Sequence, residues 1–345
     1  MSTLVITSIG PASSVQDGGR FGAQRYGLTP SGAMDRLSLA AANSLVANAP
    51  LAAAIEIGPF GAAFTAKGSA VRVALAGAPR AADIAKRPVE LNTSMTLADG
   101  ETLTLGFARR GSFSYLAIEG GIAGEATFGS LSVNARAGLG SPYPRPLQSG
   151  DSFIAKPASE APERQITPPA AASGPIRVVL GPQDDEFTDE MKALFVDSEW
   201  KISATSDRMG YRLEGPAIRH LHGHNIVSDG TVDGSIQVTG SGAPIVLMSD
   251  RGTSGGYPKI ATLISADFGR LAQTPAGTGF RFKAVSMAEA QAEARKFRDL
   301  LKHMPDHVSD IENVALRQEA LMTANVAGHA VSATDAATWQ ATAFD

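Results

Sequence analysis

Short stretches in which apolar and polar positions alternate with a period of two, or apolar residues run together between turn signals, make most of the chain read as strands rather than helices. Arg72 to Leu75 alternates into Ala-Gly-Ala-Pro, and Ser114 to Glu119 reads as a strand ahead of Gly120-Gly121. The stretch SMTLADGETLTLG predicts a hairpin, two alternating runs around Asp99-Gly100, a favoured two-residue turn. Further on, Ile176 to Leu180 predicts a strand ended by Gly181-Pro182, and SIQVTGSGAPIVLMSD a second hairpin turning near Gly240-Ser241-Gly242. Gly279 to Val285 predicts a closing strand.

A helical period shows in three places. Asp35 to Asn48 puts Leu37, Ala40, Ala41 and Leu45 on one stripe and stops at Pro50. Asp184 to Val196 reads as a short amphipathic helix with acids in its first turn, where the helix dipole favours them. Met287 to Met304 reads as a strong helix ending before Pro305. The run KPASEAPERQITPPAAASGP is rich in Pro and Ala without apolar periodicity, which suits a linker. The pattern predicts a mainly β chain with a few helices: β-domains at 1–157 and 176–285, a linker at 158–175 and a helical tail at 286–345, polar and loose beyond its helix. A faint echo between IEIG with VRVALAGAP and Ile236-Gln237-Val238 with APIVLMSDRG fits two related domains.

Composition narrows the class. With 345 residues, 43% of them hydrophobic and 19% charged, the chain can bury two cores and resembles folded rather than disordered sequences. A formal charge of −4 gives no electrostatic reason to expect nucleic acid. The absence of cysteine excludes disulfides, thiolate nucleophiles and Cys-ligated metals. No basic region followed by an apolar stretch opens the chain, and no run approaches the roughly 18 apolar residues of a membrane helix. A cytoplasmic protein without membrane or nucleic-acid partners is expected.

Two Gly-, Arg- and Asp-rich segments hold the candidate chemistry. The first runs Val15-Gln16-Asp17-Gly18-Gly19-Arg20-Phe21-Gly22, then Arg25-Tyr26-Gly27, then Pro30-Ser31-Gly32-Ala33-Met34-Asp35-Arg36. Gly-rich turns and a helix start can hold an anion, and Arg20 and Arg25 could grip one bidentately; equally, Ser31 or Asp35 could cap the helix and the arginines pair with nearby acids. The second segment is Ser249-Asp250-Arg251-Gly252-Thr253-Ser254-Gly255-Gly256-Tyr257-Pro258-Lys259. It is not a P-loop, since Lys259 follows Pro258 and precedes Ile260. Lys259 could serve as a base, as an anion anchor, or as a solvated surface residue. His220, His222 and His224 would share one face of a strand and could bind zinc, but ordinary hydrogen bonding is the favoured reading, and no metal is expected. No G-x-S-x-G elbow supports a serine nucleophile.

These segments resemble the carboxyltransferase subdomain A/B family, also called the allophanate hydrolase subunit 2 or KipA family. The likeness runs from VQDGGRFGAQRYGLTPSGAMDRLSLAAANSLV through SDRMGYRLEGPAI to GHNIVSDGTVDGSIQVTGSGAPIVLMSDRGTSGGYPKIATLISADFGRL, covering roughly residues 3 to 283. The resemblance implies two tandem cyclophilin-like β-barrel subdomains and a companion subunit of the subdomain C/D (KipI) type. It points to Gln16, Asp17, Arg20, Ser31, Gly32 and Asp35 as substrate-facing in the first segment. In the second half it points to Asp229, Arg251 and Lys259 as catalytic, with Gln237, Thr253, Gly255, Gly256 and Tyr257 around the substrate. The activity it implies is that of one subunit of an ATP-dependent 5-oxoprolinase, a lactam-opening enzyme giving glutamate, with Mg-ATP as co-substrate of the assembled complex. Two alternatives accompany it. One is the carboxyltransferase subunit of a biotin-dependent urea or amide carboxylase, with biotin supplied in trans; the other is a regulatory binding partner of a KipI-type kinase inhibitor. A further hydrolase subunit, or a biotin carrier, would complete the assembly; Glu190-Met191-Lys192-Ala193 is not a biotin-attachment turn.

Overall fold

The strand Val71–Gly77 shows why the chain folds as it does. Val71, Val73 and Leu75 point into one apolar core and Ala74 and Ala76 into another, so both faces are buried and the sequence reads as a nearly unbroken apolar run. In the computed structural model, which describes residues 2–169 and 172–311, this strand lies inside one of two sheets built mainly by the first half. That sheet runs Ser14–Gln16, Ala54–Ile57, Ser114–Ile118, Val71–Gly77, Thr93–Leu97, Arg164–Ile166 and, from beyond the barrel, Val308–Asp310. The other runs Ser152–Ala155, Ser2–Ile9, Ala62–Lys67, Thr102–Ala108, Arg80–Ile84 and Arg87–Pro88. Leu4, Ile6, Phe64 and Leu103 of the second sheet meet Ile55, Val73, Leu116 and Leu97 of the first in one core.

The second half is a closed barrel of Ile176–Leu180, Lys259–Leu263, Ser235–Val238, Pro244–Leu247, Gly210–Glu214, Glu199–Ile202 and Gly279–Ala284. It closes through a parallel pairing in which Ile176 faces Phe282. Trp200 is fully buried there, donates from Nε1 to Phe195 O at 2.8 Å and packs beside the stacked rings of Phe195 and Phe282. The mainly β class with few helices is what the structure shows, with a closed barrel in the second half.

Between the halves lies helix α1, Arg36–Leu45. Of the expected stripe, Ala40, Ala41 and Leu45 are buried and Leu37 only partly, but burial extends to every position from Leu39 to Leu45, so the helix is enclosed nearly all round. Its small residues Ala40, Ala41 and Ala42 join Ala74, Ala76 and the barrel interior in a single core. Small side chains let the helix sit close to the sheet. Asp35 caps it, accepting from Leu37 N at 3.0 Å and Ser38 N at 3.3 Å. Helix α2, Asp189–Asp197, is shorter than the pattern predicts: Thr188 caps it, and Asp184–Glu186 forms a separate 3-10 turn. Helix α3 is Phe268–Ala272, and α4, Met287–Lys302, begins with a capping box of Ser286 and Glu289. The rest of the expected tail, 312–345, lies outside the described residues.

Two expectations are corrected. The Thr93–Leu97 and Thr102–Ala108 strands flank Asp99-Gly100 but do not pair; they belong to opposite sheets. Gly100 N donates to Ala66 O at 2.9 Å and Ala66 N to Glu101 O at 3.0 Å, so the turn caps the neighbouring strand and sends the chain across the core. The second hairpin forms as read, with Val238 opposite Pro244. Within the segment read as a linker, Arg164–Ile166 is a strand beside Thr93–Leu97, anchored by Glu163, whose Oε1 accepts from Thr96 Oγ1 at 2.7 Å.

Candidate functional site

The two Gly-rich segments meet. Ser31 N donates to Ser249 O at 3.1 Å, and Gln24 Nε2 donates to Thr231 O at 2.8 Å and Thr253 O at 3.2 Å. The carbonyls gripped by Gln24 belong to a short antiparallel ribbon in which Asp229 faces Gly255 and Gly230 faces Ser254. Thr231 extends it, with N donating to Thr253 O at 3.1 Å and Oγ1 to Gly252 O at 2.6 Å. The ribbon therefore links the first segment, held at Thr231, to Asp229 two residues along, about 6.6 Å for extended chain.

At the Asp229 end sits the most reactive-looking constellation. Lys259 is buried to 1% exposure in its barrel strand, and its Nζ donates to Asp229 Oδ2 at 2.9 Å, while the Asp229 side chain is 53% exposed. Gln183 braces the pair, Nε2 donating to the same oxygen at 3.0 Å and Oε1 accepting from Lys259 N at 3.2 Å. The Lys259 ammonium, then Gln183 and the Gly230 amide, hold the Asp229 carboxyl below its usual range. Gln237 faces Lys259 across the ladder and donates to Tyr257 O at 3.3 Å. The absence of a Cβ on Gly255 lets the Gln237 carboxamide approach its backbone closely; Gly256 faces Ile226 O and Ser228, and Tyr257 is exposed. An ammonium has three donors, so one spent on Asp229 leaves two for an oxygen of a ligand.

The arginines are bolts rather than open grips in this arrangement. Arg20 is buried beneath the 127–132 turn, donating from Nε to Thr127 O at 3.0 Å and from Nη2 to Ser132 O at 2.8 Å; burial lowers its pKa, partly offset by Asp17 and Asp250. Arg251 is buried against Asp233, which also meets Arg36 at 3.7 Å. Burial lowers the Arg251 pKa and raises that of Asp233, and their attraction opposes both shifts. Arg20 Nη1 and Arg251 Nε are buried without a partner.

The remaining first-segment candidates hold the loop. Gln16 donates to Ser14 Oγ and Val133 O and accepts from Gly32 N at 3.1 Å. Asp17 accepts from Gly19 N, Ser130 Oγ, Leu131 N and Ser132 Oγ, filling its carboxylate. Ser31 and Gly32 are consecutive left-handed residues, with φ of 51° and 86°. Asp35 accepts from Gln273 Nε2 at 2.9 Å besides capping α1. Arg25 is exposed and lies over the Tyr26 ring at 4.8 Å.

Residue types alone missed Gln24, Gln183, Asp233, Arg208 and Glu56. Gln24, Arg208 and Asp233 lie inside the quoted segments, and the sole local signal at Glu56 is an acid placed between Ile55 and Ile57. The histidines do not share a strand: His220 Nε2 bonds Val238 O at 3.1 Å and His222 meets Glu186 at 3.5 Å. Among the described residues no group of three His, Cys, Asp or Glu could hold a metal ion, and no helix is long and apolar enough to cross a membrane.

Comparison with known proteins places this arrangement. The family described as carboxyltransferase domain, subdomain A and B, matches residues 26–284. The chain is 36% identical to the C subunit of 5-oxoprolinase from Escherichia coli K12, over 86% of its own length and 97% of that protein. It is 33% identical to the corresponding C subunit from Haemophilus influenzae, covering 84% of this chain and 94% of the relative. Among solved structures, Kluyveromyces lactis urea carboxylase superposes with a TM-score of 0.77 at 26% identity, covering 90% of this chain but only 31% of that one. The chain thus belongs to the carboxyltransferase subdomain A and B family.

Proposed function

We propose that this chain is one subunit of an ATP-dependent 5-oxoprolinase, a cytoplasmic enzyme that opens the cyclic lactam to glutamate and works only with a companion subunit of the KipI type. The observation that carries this reading is co-extension. The chain matches 97% of a 5-oxoprolinase C subunit, whereas it corresponds to 31% of a urea carboxylase chain. The Lys259–Asp229 pair supplies chemistry suited to an amide. Two spare Nζ donors can hold the lactam oxygen as negative charge develops on it, and Asp229 keeps the ammonium oriented. Gln237, Tyr257 and the close-packed Gly255 form the wall against which the ring lies, and Thr253 ties that wall to Gln24. Mg-ATP is assigned to the assembled complex, since Lys259 lacks the spacing of a phosphate-binding loop.

The test is glutamate release from 5-oxoproline and ATP by the reconstituted subunits, omitting each in turn. Turnover that disappears without this chain supports the reading. A folded complex with no turnover overturns it in favour of carboxyl transfer from carboxybiotin to urea or a related amide, the reading that the urea carboxylase superposition supports.

A further inference from the structure

Glu56 has zero exposure in the middle of the Ala54–Ile57 strand. Its carboxylate accepts from Met34 N at 2.8 Å, Tyr115 Oη at 2.7 Å and Arg208 Nη1 at 2.5 Å. Burial raises its pKa, and Arg208 foremost opposes that. Arg208 comes from the other half of the chain and turns its remaining donors outward. Nη2 reaches Gly32 O at 2.8 Å, and Nε reaches Asp250 Oδ2 at 2.8 Å. One guanidinium therefore joins the first Gly-rich segment, the second, and a buried acid beneath both.

From this geometry we propose that Arg208 is a positioning residue of the site. It fixes the register between the 29–34 turn and the 249–254 loop, and through them the ribbon that carries Asp229. The proposal rests on the site assigned above. Other links across this face are looser: Ser31 N to Ser249 O and the Gln24 carboxamide to two carbonyls are neutral, and the Arg36–Asp233 ion pair is long at 3.7 Å and joins only two charges. Arg208 is different because its fork is planar, charged and bound at three acceptors, and an ammonium cannot reproduce that. It also grips the carbonyl of Gly32, next to Ser31, whose left-handed backbone persists only when its surroundings over-determine it. Buried ion pairs add little net stability compared with apolar replacements, whereas losing geometry at a reacting centre is costly for rate.

The experiment compares Arg208→Lys, Arg208→Met and Glu56→Gln in the full chain, alone and in the assembled complex. On the chain alone, amide exchange at Ser31 and Asp250 is expected to speed about tenfold or more in all three variants, while Phe64 and Val178 keep wild-type protection. In the complex, kcat per folded molecule is expected to fall about tenfold to a hundredfold with little change in KM. Wild-type exchange at Ser31 and Asp250 in Arg208→Lys would overturn the proposal, as would wild-type kcat with only a lowered melting temperature. If the unmodified complex does not turn over 5-oxoproline, the proposed reaction fails and the exchange measurement still decides the role of Arg208. Should both Arg208 variants fail to fold, Glu56→Gln, which keeps the shape of the acid, carries the same measurement.

Discussion

Lys259 and Asp229 form an ion pair at 2.9 Å in which one partner is buried in the barrel and the other half exposed to solvent. The asymmetry separates structural from chemical effects. Asp229→Asn keeps the shape and the Gln183 contact but removes the charge that orients the ammonium. It is expected to lower turnover of the reconstituted complex by about 10²- to 10⁴-fold, and to lower the melting temperature to a lesser degree, because the buried Lys259 ammonium loses its counter-charge. Initial rates beside melting curves check this, and equal losses in both would contradict it.

Gly255→Ala probes the wall of the same site. The new Cβ would displace the Gln237 carboxamide, the far end of a flexible side chain, so the fold adapts at a cost of about 1 kcal/mol. Loss of turnover with a nearly native urea midpoint is the expected result.

Gly32→Ala tests the first segment differently. At φ 86° an alanine is strained, and its Cβ would lie 2.8 Å from the Cα of Gly19, which is backbone and cannot swing aside. A destabilisation of more than about 1 kcal/mol is expected in denaturant unfolding. An unchanged midpoint would mean that the turn has another conformation.

Acid stability depends on Asp267, which is fully buried against Arg177 at 2.7 Å and Arg270 at 2.9 Å. Burial pushes its pKa up, but the hydrogen bonds from Arg177 outweigh that and hold it below the usual value. A carboxyl with a depressed folded-state pKa contributes stability that is fully present above its unfolded value, about 3.9, and is lost as pH falls through the folded value. Asp267→Asn is therefore expected to cost about 3–5 kcal/mol near neutral pH and to flatten the decline in stability below about pH 4. Urea unfolding from pH 2 to 7 for both proteins measures it.

Much of the architecture is legible in the sequence because burial and period coincide there. Ile176–Leu180 and the Ser235–Leu247 hairpin read correctly since each strand has a neighbour close in sequence or a clean apolar run. The Asp99-Gly100 turn misleads because a turn dipeptide specifies a reversal, not which sheet receives the next strand; that choice is made by Ala66, remote in sequence. For the site, residue types drew attention to Lys259 and to the two segments, but not to their meeting. Gln24, Gln183 and Arg208 act through partners between 42 and 229 residues away, a relationship carried by topology and not by local pattern.

The strand whose side chains are divided between two cores has a further consequence. Val73 and Leu75 commit it to the first-half sheets, while Ala74 and Ala76 commit it to α1 and the barrel, so neither half has a finished surface without the other. A nick at exposed Glu160 would sever the chain without separating the pieces. Two fragments produced separately would recognise each other through the unfinished helix-facing surface and reassemble on mixing, as complementing halves of one protein.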